Sequence, residues 1–183
     1  MEPLERWQPE DAWRPYEPSP SEPWNRRRAA HLFRRAGLAA TREQLDEAVR
    51  VGPAATIDRL LAAPPEPDAF SQSSDALADT LLSTGNAQQL SAWWCLRMLA
   101  TPYAGLEKLT LFWHGHFATS AEKVTDPRLM LAQNRLLRQR ALGPFEPLVQ
   151  QISRDAAMLL YLDSASNRKA HPNENYAREL MEL

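Results

Sequence analysis

Cysteine, glycine and β-branched residues are all scarce in this chain of 183 residues. One cysteine, Cys95, excludes an internal disulfide framework and any multi-cysteine metal site within one chain. Six glycines argue against a fold of many tight turns. Val and Ile together number 6, whereas Ala and Leu together number 53. Strands favour β-branched and aromatic residues, and Ala and Leu favour helices, so a mostly β protein is excluded. No run of about 20 apolar residues is present, so no membrane-spanning helix is predicted. Neither acids nor bases dominate, with 23 Asp and Glu against 21 Lys and Arg. A formal net charge of −2 argues against bulk attraction to nucleic acid. The opening MEPLERWQPEDAW lacks the basic start and apolar core of a secretory signal, which leaves the cytoplasm as the default compartment. Phosphate loops, GxSxG elbows and dinucleotide fingerprints are absent. With 44% hydrophobic residues, the chain can bury a core.

Proline is plentiful, and six of the 15 prolines stand at positions 3, 9, 15, 18, 20 and 23. Residues 1–23 therefore read as an acidic, extended arm that cannot form a regular helix. Its Trp7, Trp13 and Tyr16 leave two alternatives, an arm docked in surface grooves or a disordered one. Residues 24–183 read as a helical domain. Ala29, Leu32, Phe33 and Ala36 repeat at helical spacing, and Gly37 is placed to end that helix in a left-handed conformation. Thr41 and Gln44 form a capping-box pattern, and Pro53 suits a first helical turn. PPEPDAFSQSSD reads as a loop, with a further helix from about residue 75. Four more strings read as helices: AQQLSAWWCLRMLA, YAGLEKLTLFWHGHF, PRLMLAQNRLLRQRALG and FEPLVQQISRD. DAAMLLYLD and NENYARELMEL complete the set, the latter capped by Asn173. The expected fold is an all-α, irregular bundle of about eight or nine helices.

The strings LFWHGHFATSAEKV, QNRLLRQRALGPFEPLV, ISRDAAMLLYLD and HPNENYARELMEL, in this order, resemble the bacterial family called domain of unknown function 1800. HLFRRAGLAATREQLDEAV resembles the start of that family, so the resemblance covers residue 29 onward. It implies a helical fold and histidines at both positions of the HGH string, but no established reaction. Relatives are longer and many look exported. The resemblance, with an apolar last helix that lacks a stop signal, leads us to expect a chain truncated at its C-terminus.

Three groups carry candidate chemistry. His114 and His116 flank Gly115. In a continuous helix, residues two apart point about 200° from each other. A break at Gly115 would instead let both imidazoles meet one ion. With Glu179 from the last helix they would make a two-histidine, one-carboxylate site for a divalent metal such as Zn²⁺, Mn²⁺ or Fe²⁺. The bland alternative makes His116 a core residue beside Leu109, Phe112 and Trp113. Asn134 and Arg138, one turn apart beside Gln133, form a second polar ridge, to which Asn175 on the last helix is added. An arginine with amides can hold an anion, or can equally pair with an acid of the fold. Third, NENYARELMEL puts Asn175 and Glu179 on one helix face, while its bland reading has Asn173 cap the helix and Glu174 pair with Arg178 at i, i+4.

Two further signals read as structural. Arg26, Arg27, Arg28, Arg34 and Arg35 make a solvated face rather than a nucleic-acid platform. Cys95, in an apolar helix, reads as a small core residue. The leading functional reading is a non-enzymatic helical part of a longer protein. One competing reading is a metal-dependent, hydrolase-like site of His114, His116 and Glu179 with one divalent ion as cofactor. Another is a helical interaction module whose partner is a second protein or further chain of the same protein.

Overall fold

The computed structural model describes residues 13–64, 68–83 and 85–182. The expectations for Trp7, for the prolines at 3 and 9, and for Leu183 lie outside these residues. Ten α-helices and no strand form among the described residues, where eight or nine helices are expected. They are α1 (Arg26–Ala36), α2 (Arg42–Val51), α3 (Pro53–Leu60), α4 (Ala69–Leu82) and α5 (Ala87–Ala100). Then follow α6 (Ala104–His116), α7 (Pro127–Arg140), α8 (Phe145–Ile152), α9 (Ala156–Tyr161) and α10 (Asn175–Glu182). None of them is long and apolar enough to cross a membrane.

Side-chain caps set most helix starts by satisfying backbone donors that a first turn leaves free. Asn25, Asp68, Asn86, Asp126 and Asp155 each accept from a backbone N–H of the first turn. Thr41 and Gln44 make both bonds of the capping box. Asp68 corrects the expected loop over residues 64–75. Its carboxylate accepts from Ser71 N–H at 2.8 Å and from the Tyr103 hydroxyl at 2.8 Å, so α4 starts at Ala69. Asn173 Oδ1 accepts from Asn175 N–H at the start of α10. Gly37 is not left-handed, with φ −130°. A Cβ there would lie 3.0 Å from the Phe33 carbonyl and 3.4 Å from a Leu60 methyl, so close packing is what favours glycine.

Three apolar clusters share the interior. Ala29, Phe33, Ala48 and Leu60 join α1, α2 and α3. Ala78, Leu90, Trp93 and Leu131 join α4, α5 and α7. Phe117, Leu137, Leu148, Ile152 and Met158 form the third, against which Tyr176 and Leu180 of α10 pack. Helix α6 connects the first and last of these regions, because it contacts α1, α3 and α7. Of the described arm aromatics, Tyr16 docks and Trp13 does not. The Tyr16 ring lies 4.8 Å from the Arg28 guanidinium and 6.1 Å from the Trp24 ring, whereas Trp13 is 87% exposed.

Helix α5 presents an unexpected face. Its buried residues are Leu90, Trp93 and Arg97, while Cys95 is exposed and Leu99 is 86% exposed. Cys95 is therefore not a core residue. The helix is turned so that its only charged side chain points inward, and the reason is an ion cluster at the centre of the fold.

Candidate functional site

Glu107, on α6, is fully buried and sits between two arginines. Arg97 Nε on α5 donates to its Oε1 at 2.7 Å, and Arg138 Nε on α7 donates to the same oxygen at 2.6 Å. Arg138 also reaches Oε2 at 3.1 Å, where the Trp94 indole N–H donates at 3.2 Å. Burial pushes the Glu107 carboxyl up, but the bonds and charges of Arg138 and Arg97 outweigh it and hold the group below its ordinary value. Asp75 of α4 adds a second acid, 3.6 Å from Arg97 Nη1. Two guanidiniums thus face two carboxylates. Without such pairing, buried charge is very costly.

A second buried network lies one turn away on α7. Gln133 accepts from the Thr119 hydroxyl at 2.5 Å and donates to Asp155 at 2.8 Å. Burial raises the Asp155 carboxyl, and the Met158, Gln133 and Ala157 bonds oppose that rise. Both amide ends of Gln133 are satisfied, so it serves the fold.

Asn134 differs from its neighbour. It is 6% exposed and its Oδ1 has no hydrogen-bond partner. Four buried side-chain atoms of the described residues share that condition: Asp75 Oδ1, Arg97 Nη1, His114 Nδ1 and Asn134 Oδ1. Asp75 Oδ1 and Arg97 Nη1 lie 3.6 Å from each other as an ion pair at the edge of the cluster. The other two, His114 Nδ1 and Asn134 Oδ1, belong to residues lining one recess of about 210 Å³ built from α5, α6, α7 and the 121 loop. Leu90, Trp93, Trp94 and Leu131 form its walls. The Trp94 ring meets His114 edge-on, with centroids 5.1 Å apart, and burial pushes the His114 pKa down. A neutral imidazole and a buried carboxamide therefore line one largely apolar recess.

The structure does not bring His114, His116 and Glu179 together. Helix α6 runs unbroken through Gly115 to His116, and Phe117 N–H closes its last turn on the Trp113 carbonyl at 2.8 Å. Glycine permits a break but does not impose one, so the histidines point apart. His116 lies in an aromatic cluster, stacked on Phe112 and edge-on to Trp113 and Phe117. Glu179 pairs with Arg178 at 2.9 Å on a surface helix. No group of three His, Cys, Asp or Glu side chains that could hold one metal occurs among the described residues. Arg178 pairs with Glu179 and Glu182, a correction to the expected partner Glu174.

The second candidate group also divides. Arg138 belongs to the ion cluster, and Asn134 belongs to the recess. Asn175 donates to the Leu162 carbonyl at 3.4 Å, at the start of α10. A larger recess, about 990 Å³, is elsewhere: it runs along α1 and the arm, lined by Trp24, Arg27, His31, Arg34 and Arg35. Among the described arginines of α1, Arg26 pairs with Asp46 and Arg28 with Glu22. Arg138 pairs with an acid of the fold, one of its two readings, whereas Glu107 and Arg97 are the part of the cluster that pattern reading missed. Its signal was a single arginine in the otherwise uncharged string AQQLSAWWCLRMLA.

A family model described as protein of unknown function (DUF1800) matches residues 31–183. No curated protein and no solved structure matches the chain.

Proposed function

The chain belongs to the DUF1800 family, and from that premise we propose that its helical domain is a binding module, holding a small molecule in the recess of His114 and Asn134. One observation carries this reading. Two buried polar atoms from different helices lack partners, and their residues line the same recess. Folded proteins pair nearly all such atoms with protein, ordered water or ligand, because an unpaired one loses its hydration for nothing. Water alone is a poor match here. The recess holds several molecules at roughly 30 Å³ each, and its Leu and Trp walls offer them few bonds.

The rim supports access. Ser91, Cys95 and Ala121 line the recess and are exposed, so a molecule reaches it without unfolding a helix. Behind it the ion cluster holds α5, α6 and α7 together, which fixes the walls before any molecule arrives. The test is a fragment screen by ligand-observed NMR on wild-type protein, His114→Phe and Asn134→Leu. Fragments that bind wild type and lose binding in both variants support the module. A high-resolution structure with both atoms saturated by ordered water, and no fragment sensitive to either variant, would end it. A metal-dependent hydrolase is not proposed, because the histidines and Glu179 face different surroundings.

A further inference from the structure

We infer that the molecule bound in this recess is an uncharged, largely apolar carboxamide or lactam, smaller than a typical drug. This rests on the binding-module reading above. Size follows from volume: about 210 Å³ lies below the roughly 300 Å³ at which pockets for drug-sized ligands begin.

Charge is excluded by the lining. Among the described residues that line it, none is an acid, a lysine or an arginine, and His114 is kept neutral by burial. The nearest ions, Glu107, Arg97 and Arg138, are committed to one another. Trp94, which touches both His114 and Glu107, already donates its indole N–H to that carboxylate. An ion entering the recess would give up its hydration and meet no counter-charge.

The amide follows from Asn134. Its carboxamide presents an acceptor and a donor side by side, and the natural complement is another donor–acceptor edge. The inference is independent of which way the amide is turned, since a carboxamide or lactam can pair in either sense. His114, whose Nδ1 has no hydrogen-bond partner, lines the same recess as a second polar residue, which favours a ligand whose polar edge is short and whose body is a flat ring against Leu90, Leu131 and the tryptophans.

Four probes built on one phenyl ring test this on the full chain: benzamide, its isostere benzoate, benzylamine and toluene, each titrated while the His114 ring and Trp94 indole resonances are followed by NMR. Benzamide is expected to shift both and to bind about tenfold or more tightly than the other three. Asn134→Leu should bring benzamide down to the level of toluene and leave toluene unchanged. The probe comparison in wild type needs no variant, so a misfolded Asn134→Leu does not blunt it. Benzoate or benzylamine binding as tightly as benzamide overturns the inference about charge, while the binding module stands. Toluene binding as tightly overturns the inference about the amide, again leaving the module. If no probe moves either resonance, the module itself falls.

Discussion

The two halves of α6 solve opposite problems. Its first half is buried through Gly105, Leu106, Glu107 and Thr110, and two of those four are polar. A Cβ on Gly105 would lie 2.0 Å from the Leu60 carbonyl oxygen and 3.3 Å from that of Ala36. Backbone presses on backbone there. The second half opens outward. Phe112 is 55% exposed, and a Cβ on Gly115 would meet nothing within 4 Å. One glycine is demanded by a helix crossing, while the other stands in free space. The tight crossing anchors the helix on α1 and α3 and presents Glu107 to the arginines of α5 and α7. The open end leaves His114 Nδ1 without a hydrogen-bond partner.

The strongest test of this contrast is Glu107→Ala. It strands two buried guanidiniums and should cost about 3–5 kcal/mol in urea unfolding. A loss below about 1 kcal/mol would mean that water already reaches the cluster. Next in size is Gly105→Ala. Its new methyl meets the Leu60 backbone, which cannot rotate away, and the expected loss is about 1–3 kcal/mol or more. Equal stability to wild type would show that α6 slides freely over α3.

Acid separates the two halves by window. Glu107 lies below its ordinary value of 4.5 in the folded protein, so its contribution is complete above 4.5 and is lost as pH falls further through the folded value. His114 is a base with its folded value below 6.5. The unfolded chain therefore takes up that proton first, and stability falls as pH drops from 6.5 toward the folded value. Urea midpoints measured against pH should show both limbs in wild type. His114→Gln should remove the upper limb and keep the lower one, and an unchanged upper limb would assign it to another group. The smallest effect expected is at Gly115. Replacing it with Ala inside an exposed helix should stabilise by about 0.5–1 kcal/mol. A destabilised Gly115→Ala would mean that the helix needs to open there.

Much of this architecture could be read in advance. Caps are local, so Thr41 with Gln44 and Asp126 before Pro127 announce their helices without help from the fold. Tertiary pairing is not local. Reading by apolar stripe turns α5 so that Cys95 is inside, because a charged residue is assumed to face water. Arg97 breaks that assumption only because Glu107 waits ten positions away, and no periodicity encodes the meeting. The histidine pair depended on whether Gly115 broke its helix, a choice the sequence leaves open. Asn134 was legible as a polar residue on α7, but its lack of a partner became visible only with α5 and α6 around it.

The ion cluster also orders events in time. Arg97 and Glu107 are 10 residues apart along the chain, whereas Glu107 and Arg138 are 31 apart. Closing the shorter loop costs less chain entropy, so the α5–α6 corner is expected to form first. At that stage Glu107 still keeps water on the side that Arg138 will take. Docking of α7 then closes the longer loop and expels that water together. The last contact made on this route is the first to be given up on the way out, so weakening Arg138 should speed unfolding far more than it slows refolding.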